Sequence, residues 1–202
     1  MVYQNKFFIF VIIFFLLLAV ACLSFFINSL YPLRRAKMEE DLARISTYEN
    51  LIDQNPMDRA SSQALLDNLS SPDQPVVVAT LRTFGRIDSE YIDELSILEH
   101  YLNSSVPQYR RASILAVKDK GQESIVILPS ITDSLSDPDA IDVRVFAAQV
   151  IRELGPEASS ALEELRKARD DPTNSGFRST FESAIENITV NEDDMAAQGE
   201  EN

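Results

Sequence analysis

Four segments of this chain align without gaps, beginning at Val76, Tyr109, Val143 and Phe177, and so recur at intervals of 33, 34 and 34 residues. Self-similarity at such a period marks a repeated supersecondary unit, because a unit this short cannot bury its apolar face alone and must stack on a copy of itself. Within each segment the first, fifth, ninth and twelfth positions are mostly small or apolar: Val76, Thr80, Phe84, Ile87; Tyr109, Ser113, Val117, Lys120; Val143, Ala147, Ile151, Leu154; Phe177, Phe181, Ile185, Ile188. That spacing draws one stripe along one face of a helix.

A second apolar periodic run precedes each segment and ends in a turn-prone cluster. Leu65, Leu66 and Leu69 precede SSPDQP; Leu95, Leu98 and Leu102 precede NSSVPQ; Ile127, Ile131 and Leu135 precede SDPDAID; Ala161, Leu165 and Ala168 precede DDPTNSG. The expected unit is therefore helix, tight turn, helix, and the expected class is all-α. Asp and Pro in these turns suit the cap and first turn of the second helix, with Asp142 the expected cap before Val143. Gly121 and Gly155 stand where a second helix should stop.

Residues 137–158, DPDAIDVRVFAAQVIRELGPEA, resemble a HEAT-type repeat, specifically the short bacterial form first described in phycobilisome lyases. The resemblance spans roughly residues 59–189 as about four repeats, the first and fourth diverged, and implies an α-solenoid suited to binding with no fixed chemistry. It also implies a structural ladder, since the Arg at the second position of such helices meets an Asp of the turn or of the adjacent unit. Arg110, Arg144 and Arg178 would be its donors and Asp137, Asp142 and Asp171 its acceptors, with a phosphate-binding row as the alternative. Val77 replaces the ladder Arg in the first repeat, and Lys120 stands where an aliphatic residue is usual; both positions read as edges or partner sites. A chromophore lyase, or a lyase-like chaperone, is the rival function that the repeat subtype suggests.

Ahead of the repeats, residues 7–31 (FFIFVIIFFLLLAVACLSFFINSLY) contain no charge. As a helix they would reach about 38 Å at about 1.5 Å per residue, more than a hydrocarbon core of about 30 Å requires, so a transmembrane helix is expected there. Tyr3 and Tyr31 flank it as interfacial aromatics, and Pro32 ends or kinks it. A second reading stays open: LAVAC, residues 18–22, resembles a lipobox, and cleavage before Cys22 would leave a lipidated thiol instead of a span. The apolar LSFFINSLY after Cys22 favours the uncleaved helix. Arg34, Arg35 and Lys37 outnumber Lys6, which leans the repeats toward the cytoplasmic side of a bacterial inner membrane.

The chain thus divides into an N-terminal flank (1–6), the span (7–31), a juxtamembrane linker and capping helix (32–58), the repeats (59–189) and an acidic tail (190–202). The tail, VNEDDMAAQGEEN, carries five acids and no base and is expected to be disordered. From Met38 onward 14 Lys and Arg face 32 Asp and Glu, a balance of −18 that disfavours nucleic acid as a partner. One Cys and one His exclude an internal disulfide and a thiolate or imidazole metal cage. His100 falls near a helix C-terminus without a nucleophile motif, and five Gly form no phosphate loop, so neither catalysis nor a cofactor is expected.

The third, seventh and tenth positions of each second helix would face away from the core stripe. They bring together Val78, Arg82 and Gly85; Arg111, Leu115 and Lys118; Val145, Gln149 and Arg152; Ser179, Ser183 and Glu186. Arg82, Arg111, Lys118 and Arg152 form a cationic line in an acidic chain, with Val78, Leu115 and Val145 as apolar contacts: a groove for an acidic peptide or partner helix. An ordinary solvated face is the plainer account. The reading that combines these features is a single-pass membrane protein presenting its repeats as a protein-binding scaffold or adaptor. A structural subunit of a membrane complex is the remaining alternative.

Overall fold

The computed structural model describes residues 31–47, 58–88 and 90–199, and these are helix and turn without a strand. The protein is all-α in that sense. Among the described residues no helix is long and apolar enough to cross a membrane. Residues 7–30 of the expected span, with Cys22, lie outside the described residues, as do the flank 1–6, part of the linker (48–57) and the last three residues.

Two compact units are distinguished, Met1–Ala43 and Arg44–Asn202. The first contributes residues 31–43 of a helix, α1, that covers 31–47, and Tyr31 and Leu33 are exposed on its first turn. The second holds α2 (Arg59–Asn68), α3 (Gln74–Phe84), α4 (Glu94–Leu102), α5 (Pro107–Lys120), α6 (Leu128–Asp133), α7 (Ile141–Leu154), α8 (Leu162–Asp170) and α9 (Arg178–Gly199). Even-numbered helices precede odd-numbered partners: α2 packs on α3, α4 on α5, α6 on α7 and α8 on α9. The odd-numbered helices pack on one another in order, α3 on α5, α5 on α7 and α7 on α9.

This order follows from the apolar stripes. Val76, Thr80, Phe84, Ser113, Val117, Val143, Ala147, Ile151, Phe181 and Ile188 are buried, and so are Leu65, Leu98, Leu102, Ile131, Leu135 and Leu165 from the preceding helices. Burying such side chains contributes about 1.5–3 kcal/mol each for the larger aliphatics and Phe. The second helices bury a further face, through Leu81, Ile114, Ala148 and Val150; the interior ones, α5 and α7, are each flanked by two odd-numbered neighbours. Tyr109 and Ile185 are only half-buried. Phe177, directly before α9, is 44% exposed.

Glycine and aspartate set the boundaries. Gly121 and Gly155 follow α5 and α7 with φ of 59° and 66°, a region that side-chain-bearing residues rarely enter. After each, the chain continues as a 3-10 segment, Gly121–Ile127 and Gly155–Ala161, before the α-helix proper. Asp58 and Asp93 cap α2 and α4, accepting from the amides of Ser61 at 2.7 Å and Ser96 at 3.0 Å.

Three expectations need correction. Asp142 is not the cap of α7. The helix begins at Ile141, and Asp137 instead accepts from the amides of Asp139 at 3.0 Å and Ala140 at 2.8 Å, which leaves the Asp142 carboxylate for another partner. Gly85 is not on the open face: a Cβ there would lie 2.6 Å from Cα and O of Ala116, so its lack of a side chain sets how closely α3 approaches α5. Finally, α9 runs to Gly199 and takes up most of the segment expected to be disordered. Residues 178–198 contain neither Gly nor Pro, so nothing in the sequence breaks the helix there.

Candidate functional site

A shallow groove of about 330 Å³ lies between α3 and α5, lined by Gln74, Pro75, Val78, Arg82, Gln108, Arg111, Ala112 and Leu115. Its polar rim is two glutamines and two guanidinium groups, and the rest of its lining is apolar. Val78 and Arg82 lie one turn apart on α3, as do Arg111 and Leu115 on α5, so each helix contributes one aliphatic and one arginine side chain. Four of the eight sequence-derived binding residues therefore come together here. Gln74, Pro75, Gln108 and Ala112 also line the groove and escape a strict third-seventh-tenth pattern: the first three sit on the first turns of the two helices and Ala112 directly follows Arg111.

The two arginines differ. Arg82 is exposed and, among the described residues, has no carboxylate partner. Arg111 is paired: its Nε and Nη2 donate to the Asp142 carboxylate on α7. The hydrogen bonds from Arg111 outweigh burial and deepen its protonated state.

Farther along, the cationic line is neutralised from within. Lys118 Nζ donates to Gln149 Oε1 at 2.9 Å and lies 3.7 Å from Glu153 Oε1, while Arg152 Nη2 lies 3.9 Å from the same oxygen. Val145 is buried. Lys118, Val145, Gln149 and Arg152 thus do not line the groove; they belong to the contact between α5 and α7 and to the surface beyond it. Sequence spacing found the cations but gave Asp142 to the ladder and to the cap of α7 and left out Glu153; the two carboxylates reach Arg111 and Lys118 from the next unit.

The arginines assigned to the ladder occupy three different settings. Arg110 is buried and grips Asp137 with Nε at 2.6 Å and Nη2 at 3.0 Å, while its Nη1 donates to the Ser104 carbonyl at 2.9 Å. Arg144 donates to the Asp137 carbonyl at 2.6 Å and to Thr173 Oγ1 and Asn174 Oδ1 at 2.7 and 3.0 Å. Arg178 is exposed at the start of α9. Asp171 accepts from the Thr173 amide at 2.8 Å, capping the turn before α9. Burial alone would push the Asp137 carboxyl up, but hydrogen bonds from Arg110 and from the amides of Asp139 and Ala140 outweigh it and hold it below its ordinary value.

The two departures from the repeat pattern are interior positions. Val77 is 2% exposed. Lys120 has a buried side chain, and its ammonium donates to the Ile87 carbonyl and lies 3.7 Å from Glu94 Oε2. Both are corrected from edge or partner sites to packing positions. His100 is exposed in the last turn of α4, edge-on to Tyr101 with ring centroids 5.3 Å apart. Among the described residues no three His, Cys, Asp or Glu side chains are grouped to hold a metal ion.

No protein-family model matches this chain, and no curated protein matches it either.

Proposed function

We propose that this chain is a membrane-anchored, HEAT-like α-solenoid that acts by recognition alone, holding an acidic segment of a partner protein in the groove between α3 and α5. The observation that carries this reading is Arg82. From Met38 onward the chain has 18 more acids than bases, yet an exposed guanidinium that has no carboxylate partner among the described residues stands beside the aliphatic side chains of Val78 and Leu115. Such a site favours an acidic group flanked by apolar ones, gaining charge complementarity for orientation and apolar burial for affinity. The solenoid reading is supported by the 33- and 34-residue recurrence and by the serial packing of α3, α5, α7 and α9. The anchor reading rests on the uncharged run 7–31.

The test uses the full chain in detergent micelles as bait. The wild type should retain a set of proteins that Arg82→Glu loses, while Lys167→Glu, an exposed change on α8, keeps them. Far-ultraviolet circular dichroism should be the same for all three. An identical retained set for wild type and Arg82→Glu would contradict the groove as the binding site.

A further inference from the structure

We infer that the groove between α3 and α5 also takes the C-terminal acidic segment, residues 190–202, of a second copy of this chain. The inference rests on the reading of the groove given above and names one occupant for it. The segment VNEDDMAAQGEEN carries Glu192, Asp193, Asp194, Glu200 and Glu201 without a base, interspersed with Val190, Met195, Ala196 and Ala197. That is the composition the groove calls for: carboxylates for Arg82 and for the Arg111 charge shared with Asp142, and small or flexible apolar side chains for Pro75, Val78 and Leu115.

The backbone adds to the match. Residues 190–199 continue α9 as a helix, so this part of the segment is presented with its backbone already ordered, and docking it as a helix in a groove costs less entropy than ordering a coil. Elsewhere on the cationic line the charge is answered within the chain, Lys118 and Arg152 by Glu153, which confines the complementary surface to the α3 and α5 end.

The segment cannot reach its own groove. α9 packs on α7, which packs on α5, and neighbouring helix axes are about 8–10 Å apart, so the groove lies about 20–30 Å across the stack from α9. A helix extends along its own axis and not across its neighbours. The three residues after Gly199 span at most about 10 Å. Docking therefore joins the tail of one copy to the groove of another, a head-to-tail contact that leaves one free tail and one free groove and so propagates instead of closing.

The test combines sedimentation of the full chain in detergent micelles with anisotropy of a fluorescent synthetic peptide of residues 189–202. The wild type should associate with rising concentration and bind the peptide. Arg82→Glu should remain monomeric and bind the peptide at least tenfold more weakly, and binding to the wild type should weaken as salt is raised. A chain carrying Glu192→Lys, Asp193→Lys and Asp194→Lys should not self-associate but should associate when mixed with the Arg82→Glu chain, because the swapped charges again complement each other. Equal peptide binding by wild type and Arg82→Glu overturns the inference, as does equal binding of a peptide whose five acids are Gln and Asn. If the peptide fails to bind while partner capture still depends on Arg82, the occupant is wrong and the groove reading stands; if capture is also independent of Arg82, both fall.

Discussion

Arg110 and Asp137, 27 residues apart in sequence, form a two-pronged ion pair in which the side chains are only 9% and 2% exposed. Asp137 is the node of the surrounding turns: its carboxylate also takes the Asp139 and Ala140 amides, and its carbonyl takes Arg144. Removing one partner leaves a buried charge uncompensated, at a cost of about 3–5 kcal/mol. Asp137→Ala and Arg110→Ala should each lose stability on that order in urea unfolding. The double variant should cost less than the sum of the two, since the second change removes a charge the first had stranded.

The same node makes a pH prediction. The native Asp137 carboxyl lies below its ordinary value of 3.8, so its contribution is fully present above that value and is lost as pH falls through the lower native one. Acid unfolding monitored by circular dichroism should show a loss of stability below about pH 4 in the wild type. In Asp137→Asn the loss should be shallower, from a lower starting stability.

Two glycines should respond to Ala for different reasons. Gly155 has open space where a Cβ would go but φ 66° with ψ −141°, so Gly155→Ala should cost about 1–3 kcal/mol in strain without altering the packing. At Gly85 the obstacle is the backbone of Ala116 at 2.6 Å, so Gly85→Ala must push α3 away from α5. It should lower the thermal midpoint and also weaken Arg82-dependent partner capture, which Gly155→Ala should leave unchanged.

Ser113 is a core position whose hydroxyl is fully buried without a hydrogen-bond partner among the described residues. An unsatisfied buried hydroxyl is destabilising, so Ser113→Ala should raise stability by about 1 kcal/mol in thermal or urea unfolding. A loss of stability would mean that the hydroxyl is satisfied in solution.

The helix pairs were legible because a 3.6-residue apolar stripe and a stop glycine such as Gly121 are local signals. Partners contributed by the next unit were not. Arg111 and Asp142, Lys118 and Gln149, Gln122 and the Glu153 carbonyl, and Glu99 and Ser130 are each separated by 31 residues. That is about one helical turn short of the 34-residue repeat, so a side chain meets a residue one turn before its own equivalent in the next unit. A period of 34 read as i with i+34 looks one turn too far, so it pairs neither Arg111 with Asp142, which the sequence places in the ladder and at the cap of α7, nor Lys118 with Glu153. Lys120 escaped because its aliphatic stem can occupy an interior position once the ammonium finds the Ile87 carbonyl and Glu94. The groove itself depends on Gly85 bringing α3 onto α5, a tertiary contact that single-helix periodicity does not contain.

The most direct measurement of the central claim, that the α3 and α5 groove holds an acidic protein segment, places a photocrosslinking side chain at Val78 of the full chain in living cells. A control crosslinker takes the place of exposed Glu163 on α8. Protein adducts should form from position 78 and not from 163, and Arg82→Glu in the same chain should abolish them. Adducts from position 78 that persist with Arg82→Glu, or no adducts beyond those of the control, would contradict it.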